Sequence, residues 1–208
     1  MNILRISCSP RGPAADSHRL SEHIVQSLSD RAGAAAVVDR MIGIDPVPHI
    51  DHAYLLSTPT GSLSLSEELI DELDRADALV IATPMHNLGL PSVLKAWLDH
   101  VVRAGRTFQV TPAGKIGSLR DRPVFVAVAS GGRFSGARAR QPDFLTPCLT
   151  AVLGTIGLCD ITYFSIQGTG LGPQVVEAAW DEADRAIRVH FSSFRATPLR
   201  GPLAIKSR

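Results

Sequence analysis

The sequence has few cysteines, few aromatic residues and no long apolar run. Its cysteines, Cys8, Cys148 and Cys159, form neither a CxxC pair nor a disulfide framework, which favours a reducing compartment and predicts a cytoplasmic protein. No stretch approaches the roughly 18 uninterrupted apolar residues of a membrane span. The first apolar run is broken by Arg5 and stopped at Pro10, so it predicts a strand rather than a secretory signal peptide.

The sequence also lacks an excess of either charge. Lys plus Arg is 21 and Asp plus Glu is 20, so the net charge of +1 gives no electrostatic reason to expect nucleic acid or an anionic membrane as partner. The length of 208 residues fits one domain with a sizeable core. We assign residues 1–191 to a single domain. Residues 192–208 have four basic and no acidic residues, and we expect them to form a loosely ordered tail.

Short apolar runs alternate with segments of helical period along the whole chain. The runs cover residues 3–8, 35–39, 78–83, 124–129 and 161–166. Each is typical of a parallel strand covered on both faces. Between the first two, Leu20, Ile24 and Leu28 recur at the spacing of an amphipathic helix. Five β then α units with right-handed crossovers predict an α/β fold, a doubly wound five-stranded parallel sheet of order 2-1-3-4-5 with helices on both faces, which is flavodoxin-like.

Two longer stretches interrupt the alternation. Residues 44–61 contain three prolines and two histidines, and residues 105–122 contain one proline and three glycines. Neither has a helical or strand period, so we predict irregular loops. Loops of this length in a compact domain are usually binding loops or interface elements. His49 and His52 have a metal-like spacing, but no second cluster accompanies them, and we predict no metal site.

In a sheet of this order, ligands bind outside the carboxyl ends of the central strands. After the first strand, residues 9–17 contain small hydroxyl side chains and a glycine before a helix N-terminus, which suits a phosphate. The turn lacks the G-x-x-x-x-G-K-[S/T] spacing of a triphosphate site, so a monophosphate bound without metal is favoured. The alternative is that Asp16 or Ser17 only caps the helix and the turn binds nothing.

Two further turns belong to the same predicted edge. After the third strand, Met85 offers a polarizable contact to a flat ring, although methionine at a strand end is often only a core residue. After the fourth, Ser130-Gly131-Gly132 lets the backbone approach a ligand closely, although the same residues suit an ordinary tight turn.

Taken together, these motifs resemble a known family. They are Ser9-Pro-Arg-Gly12 with Ser17, Pro84-Met-His-Asn-Leu88 followed by Leu94-Lys-Ala-Trp-Leu-Asp99, and Ala129-Ser-Gly-Gly132 with Leu153-Gly-Thr-Ile-Gly157. In this order they resemble the FMN-dependent NADH-azoreductases, the flavodoxin-like quinone reductases, over about residues 2 to 190.

The resemblance implies a set of cofactor-binding residues. The first turn would hold the FMN phosphate, the second would line the isoalloxazine with Met85 against the ring and Asn87 near N5, and the third would approach the ring from the other side. The implied residues are Ser9, Arg11, Ser17, Pro84, Met85, His86, Asn87, Leu88, Ser130, Gly131, Gly132 and Arg133.

The chain departs from the family pattern at two of these places. His86 stands where the family commonly has a tyrosine, and it could donate a proton or replace the tyrosine in packing, of which we favour packing. Asp16 puts a carboxylate beside the predicted phosphate. Asp16 therefore either points away as a helix cap or lowers the affinity for FMN.

The implied activity is that of an NAD(P)H oxidoreductase that reduces quinones and azo compounds by two-electron, ping-pong hydride transfer through flavin N5. The cofactor carries the chemistry, so no catalytic side chain is required. The resemblance also implies a homodimer. The absence of a predictable arginine cluster for a 2′-phosphate favours NADH over NADPH. The alternatives are a flavodoxin-type electron carrier, which the net charge of +1 does not favour, and an NAD(P)H:FMN reductase.

Overall fold

The protein is described by a computed structural model that covers residues 1–56 and 63–193. Its strands are β1 (Asn2–Ser7), β2 (Ala36–Arg40), β3 (Ala78–Pro84), β4 (Phe108–Thr111), β5 (Gly114–Gly117), β6 (Val124–Ser130) and β7 (Ile161–Gln167). Five of them form one parallel sheet of order β2-β1-β3-β6-β7. This is the predicted 2-1-3-4-5 order, and the flavodoxin-like fold is confirmed.

Helices cover both faces of the sheet. They are α1 (Asp16–Ala32), α2 (His52–Leu55), α3 (Ser64–Arg75), α4 (Ser92–Val101), α5 (Leu145–Thr155) and α6 (Pro173–Ser193). On one face α1 and α6 bury apolar side chains such as Leu20 and Ile187 against the sheet. On the other face α3, α4 and α5 contribute Leu69, Trp97 and Leu149 to a second core. The central strands β3 and β6 are therefore apolar nearly throughout, because both of their faces are covered.

The edge strand β2 differs from the prediction that every strand is covered on both faces. Val37 and Val38 keep 40% and 48% of their surface exposed. The strand pairs only with β1 in the sheet, and its apolar sequence alone does not reveal that it lies at the edge. The prediction of burial was wrong for this strand.

The stretch of residues 105–122 is not irregular throughout, which corrects the sequence-based prediction. Strands β4 and β5 form an antiparallel hairpin. Gly114 adopts φ 115° at the turn, a conformation that favours glycine, and its carbonyl accepts a hydrogen bond from Thr111. Phe108 is buried, whereas Val110 and Ile116 are exposed, and this short mixed pattern carries no clear period.

The remaining boundaries lie close to the predicted ones. The C-terminal helix runs to Ser193, two residues past the predicted end of the domain. Residues 194–208, the rest of the predicted tail, lie outside the described residues, as do residues 57–62 of the first long loop. Within the described residues, none of the helices is both long enough and apolar enough to cross a membrane.

Candidate active site

Three turns meet at the carboxyl edge of the sheet because β1, β3 and β6 are neighbours and run parallel. Backbone hydrogen bonds join them where the strands end. The N–H of Cys8 donates to Ala82 O, and the N–H of Met85 donates to Ala129 O, both at 2.8 Å. The structure therefore brings the three predicted turns together at one place.

The turn after β1 is a single turn of 3₁₀ helix, Gly12–Ala14, that leads into α1. Ser9 organises its start. The Ser9 hydroxyl accepts from the N–H of Arg11 at 3.2 Å, and the Ser9 carbonyl accepts from Gly12 at 3.0 Å. Because the hydroxyl oxygen only accepts in this contact, its proton is left to donate to a ligand. The Arg11 side chain is exposed at the rim of the turn.

Helix α1 is not capped by the side chains that the alternative interpretation requires. Ala15 occupies the N-cap position, and no side chain accepts a hydrogen bond there. Asp16 is the first helical residue, and its carboxylate lies 3.9 Å from the guanidinium of Arg19. The interpretation of Asp16 or Ser17 as a simple helix cap was therefore wrong.

Ser17 is the most distinctive residue of this turn. It is 1% exposed, and its hydroxyl has no hydrogen-bond partner among the described residues. The N–H groups of the first helical turn around it lack intrahelical acceptors by the geometry of the α-helix. A buried hydroxyl without a partner costs roughly 1–3 kcal/mol. Its position beside several N–H donors suits an anion.

A buried pair beneath this turn was missed by the sequence analysis. The Ser7 hydroxyl lies 3.0 Å from Nδ1 of His18, and both residues are buried. Burial, with help from the nearby charge of Arg5, lowers the pKa of His18. His18 is thus favoured as the neutral imidazole. The only sequence signal was that a histidine follows Ser17 in the first helical turn.

Cys8 directly follows β1 and is fully buried in the core that α3, α4 and α5 form on the other face of the sheet. Burial raises the pKa of its thiol, so the sulfur stays protonated at neutral pH. Cys8 is therefore a residue of the apolar core.

The turn after β3 holds two non-glycine residues in the left-handed region. Asn87 has φ 46° and Leu88 has φ 70°, and reciprocal backbone hydrogen bonds between His86 and Gly89 close the turn. Two successive positive φ angles define a tight hairpin turn, and a leucine there is strained. Strain of this kind concentrates at functional sites. The N–H of Phe144, at the start of α5, donates to the carbonyl of Leu88 at 3.1 Å and supports the turn.

The side chains of this turn divide into a buried and an exposed part. Met85 is buried at the base, Pro84 and Leu88 are partly buried, and His86 and Asn87 are exposed. The exposed pair therefore stands at the mouth of the site.

The second and third turns are connected by the side chain of Gln141, a residue that the sequence analysis missed. The amide nitrogen of Gln141 lies 3.2 Å from both the Met85 sulfur and the Ser130 hydroxyl. A Cβ added at Gly132 would lie 2.1 Å from Oε1 of Gln141, whereas a Cβ at Gly131 would meet nothing within 4 Å. Gln141 lies 11 residues after Ser130 in an irregular loop, and no motif marks it.

The Arg133 side chain points to a different place from its neighbours in the third turn. It lines a cavity of about 340 Å³ between the following loop, β7 and α6, and no other predicted site residue lines that cavity. Ser130 and Met85, by contrast, contact each other at the carboxyl edge.

Comparison with known proteins agrees with this architecture. A protein-family profile described as flavodoxin-like fold matches residues 1–191. The chain is 46% identical over 208 aligned positions to FMN-dependent NADH:quinone oxidoreductase 4 of Pseudomonas fluorescens, covering 97% of this chain and 98% of the relative. The chain belongs to this oxidoreductase family. It is also 40% identical to FMN-dependent NADH:quinone oxidoreductase 2 of Cupriavidus pinatubonensis, over 86% of this chain and 92% of that relative.

Solved structures with the same fold carry related names. An FMN-dependent NADH-azoreductase of Bacillus anthracis, solved in complex with FMN, superposes with a TM-score of 0.76 at 23% identity and covers 92% of this chain and 100% of that one. The azoreductase AzrA superposes with a TM-score of 0.80 at 21% identity, covering 93% and 100% of the two chains. At this identity the two superpositions show that the chain shares the fold of these structures.

Proposed function

We propose that the protein uses FMN, held by the three turns, to transfer two electrons from NADH to quinones and azo compounds. The observation that carries the proposal is the buried Ser17 hydroxyl, which has no partner among the described residues and lies beside the free N–H groups of α1. These donors fit the terminal phosphate of FMN. Ser9 supplies a further hydroxyl proton, and the exposed Arg11 lies close enough in sequence to add a positive charge.

The other two turns are suited to the flat ring. Met85 and Leu88 supply an apolar surface, Pro84 and Asn87 shape the turn around it, and the backbone of Gly131 is open to approach. When bound, FMN supplies the hydride chemistry itself. The protein then has to orient the ring, exclude water from its buried face and stabilise negative charge at its polar edge, for which the backbone N–H groups of Gly131 and Gly132 are suitable donors.

The exposure of His86 suits contact with a ligand, and none of the described side chains is bonded to its ring as a partner for acid–base catalysis. It is exposed at the mouth of the site, and no side-chain hydrogen bond is formed by its ring to the other described residues. We assign it to packing or hydrogen bonding at the ring, in the place of the tyrosine that the family resemblance leads one to expect. NADH and the acceptor would then use the same open face in turn, which is the basis of ping-pong kinetics.

A homodimer is part of the same proposal. The hairpin exposes Val110 and Ile116, and Phe144 beside the second turn is 61% exposed. Phe144 adjoins the second turn, and exposed apolar side chains that form a patch are typical of an interface. A second chain would close the site on the side that faces solvent.

The test reconstitutes the apoprotein with FMN and follows NADH oxidation with menadione as acceptor. We expect saturable activity that depends on FMN and initial-rate lines that are parallel in double-reciprocal plots. Ser17→Ala should weaken FMN binding roughly 10-fold or more, because a hydrogen bond to a charged group contributes about 1.5–3 kcal/mol. Activity at saturating FMN should be retained.

Ser21→Ala is the matched control. Ser21 is buried one turn further along α1, but its hydroxyl already donates to His18 O at 2.6 Å. This variant should lose stability and keep its FMN affinity. If the apoprotein fails to bind FMN at micromolar concentration, the proposed function is wrong.

A further inference from the structure

The carboxamide of Gln141 joins two turns that come from different strands. Its nitrogen is 3.2 Å from the sulfur of Met85, after β3, and 3.2 Å from the hydroxyl of Ser130, at the end of β6. The Ser130 hydroxyl also lies 3.8 Å from the Met85 sulfur, so the three polar groups form a closed ring. The site residues Met85 and Ser130 are thus fixed relative to each other by a third side chain.

The orientation of this amide follows from the chemistry of its partners. A thioether sulfur has no proton and can only accept, so the NH₂ end of Gln141 must face Met85. Its second proton then reaches the Ser130 oxygen, and the Ser130 proton is left for the sulfur. A flipped amide would place Oε1 against the lone pairs of sulfur.

The opposite end of the amide remains available. Oε1 accepts no hydrogen bond from the described residues, and it lies over Gly132, where an added Cβ would be only 2.1 Å away. Two backbone hydrogen bonds hold the loop so that the Gln141 side chain lies over the third turn. The N–H groups of Arg140 and Gln141 donate to Arg133 O, at 2.8 and 3.2 Å. A side chain at position 132 would therefore displace the amide from this position.

We propose that Gln141 is a cofactor-positioning residue. Its NH₂ group locks Met85 and Ser130 in place for the ring of FMN, and its Oε1 is an acceptor for the ring N–H. This inference rests on the proposed function, because it assumes that the two turns hold the ring. It adds a residue that recognises the ring half of the cofactor, distinct from the phosphate half at Ser17.

The test compares FMN with riboflavin, which has the same ring and no phosphate. Gln141→Met keeps the length of the side chain and removes the amide. We expect it to weaken binding of both FMN and riboflavin to the apoprotein by about 10-fold, consistent with one or two lost neutral hydrogen bonds. It should also shift the absorption spectrum and the midpoint potential of the bound flavin. Ser17→Ala should weaken FMN alone. Gln174→Leu, at an exposed position near the start of α6, is the control and should change neither ligand.

A second variant protects the test against misfolding. Gly132→Ala places a Cβ where Oε1 lies and should reproduce the loss, while the double variant Gly132→Ala/Gln141→Met should lose no more than either single change. Thermal unfolding of each apoprotein reports its folding. Wild-type affinity for both flavins in Gln141→Met, with an unchanged spectrum and potential, would overturn the proposal. Failure of the wild-type protein to bind either flavin would instead contradict the proposed function.

Discussion

Asp16 places a carboxylate at the N-terminus of α1, next to the proposed phosphate. In the apoprotein its negative charge interacts favourably with the positive end of the helix dipole and stabilises the fold. In the complex the same charge would repel the phosphate and lower the affinity for FMN. We expect Asp16→Asn to lower the free energy of unfolding of the apoprotein by about 0.3–1 kcal/mol and to raise FMN affinity by a similar amount. Urea unfolding and FMN titration measure the two quantities. A variant with weaker FMN binding would show that the carboxylate contributes to the site.

His18 makes the stability of the first turn depend on pH. Its pKa is lowered by burial in the folded protein, whereas in the unfolded chain it has its ordinary value near 6.5. As the pH falls below that value, the unfolded chain gains a proton that the folded protein resists, so stability is lost. Between pH 7.5 and 5.5 the free energy of unfolding should fall more in the wild type than in His18→Asn. The exposed His49→Asn serves as control, and identical pH dependence in all three proteins would contradict the prediction.

The sequence identifies a site residue when the residues that act with it are close in the chain. It does not identify one whose partners are distant in the chain. Ser9 and Ser17 lie in one short turn before a helix, so their pattern is visible in the sequence. Gln141 reaches Met85 across 56 residues, and the Ser7–His18 pair joins a strand end to a helix. Such contacts depend on how loops pack in three dimensions, and no period or spacing encodes them.

The second turn is an element whose backbone limits its sequence. Asn87 tolerates φ 46°, and a β-branched side chain does not. We expect Asn87→Val to lower the free energy of unfolding by about 1–2 kcal/mol, the usual penalty of the left-handed conformation. Asn87→Gly, the matched control, should stay within about 0.5 kcal/mol of the wild type, since glycine adopts this conformation freely. Equal urea midpoints for the two variants would contradict a strained turn.

Among the larger elements, the sheet was predictable and the hairpin was not. Each parallel strand coincides with a short, mostly apolar run, and right-handed crossovers between these runs predict the strand order. The hairpin has strands of four residues with both faces partly exposed, so it lacks the alternation that predicts a half-buried strand. Strand β2 was predicted from its apolar residues, but these residues do not show that the strand lies at an exposed edge of the sheet.

At the scale of the whole molecule, the proposed homodimer predicts the mass of the protein in solution. Wild-type protein should sediment at twice the mass of one chain. Val110→Asp combined with Ile116→Asp should shift it to the monomer and lower quinone reductase activity at least 10-fold, because buried charges are costly at an apolar interface. Val189→Asp, at a similarly exposed position on α6, should leave the mass unchanged. A fully active wild-type monomer would exclude the shared site.

The exposed edge strand has a consequence for how the molecule opens. Strand β2 is hydrogen-bonded in the sheet on one side only and buries little apolar surface, so its separation from β1 requires less free energy than separation of β3 from β6. Amide protons in such a region exchange with solvent through local opening, long before global unfolding. Backbone amides of β2 should therefore exchange first among the strands of the parallel sheet, and those of β3 and β6 last. FMN should slow exchange at the first turn and leave that of β2 nearly unchanged.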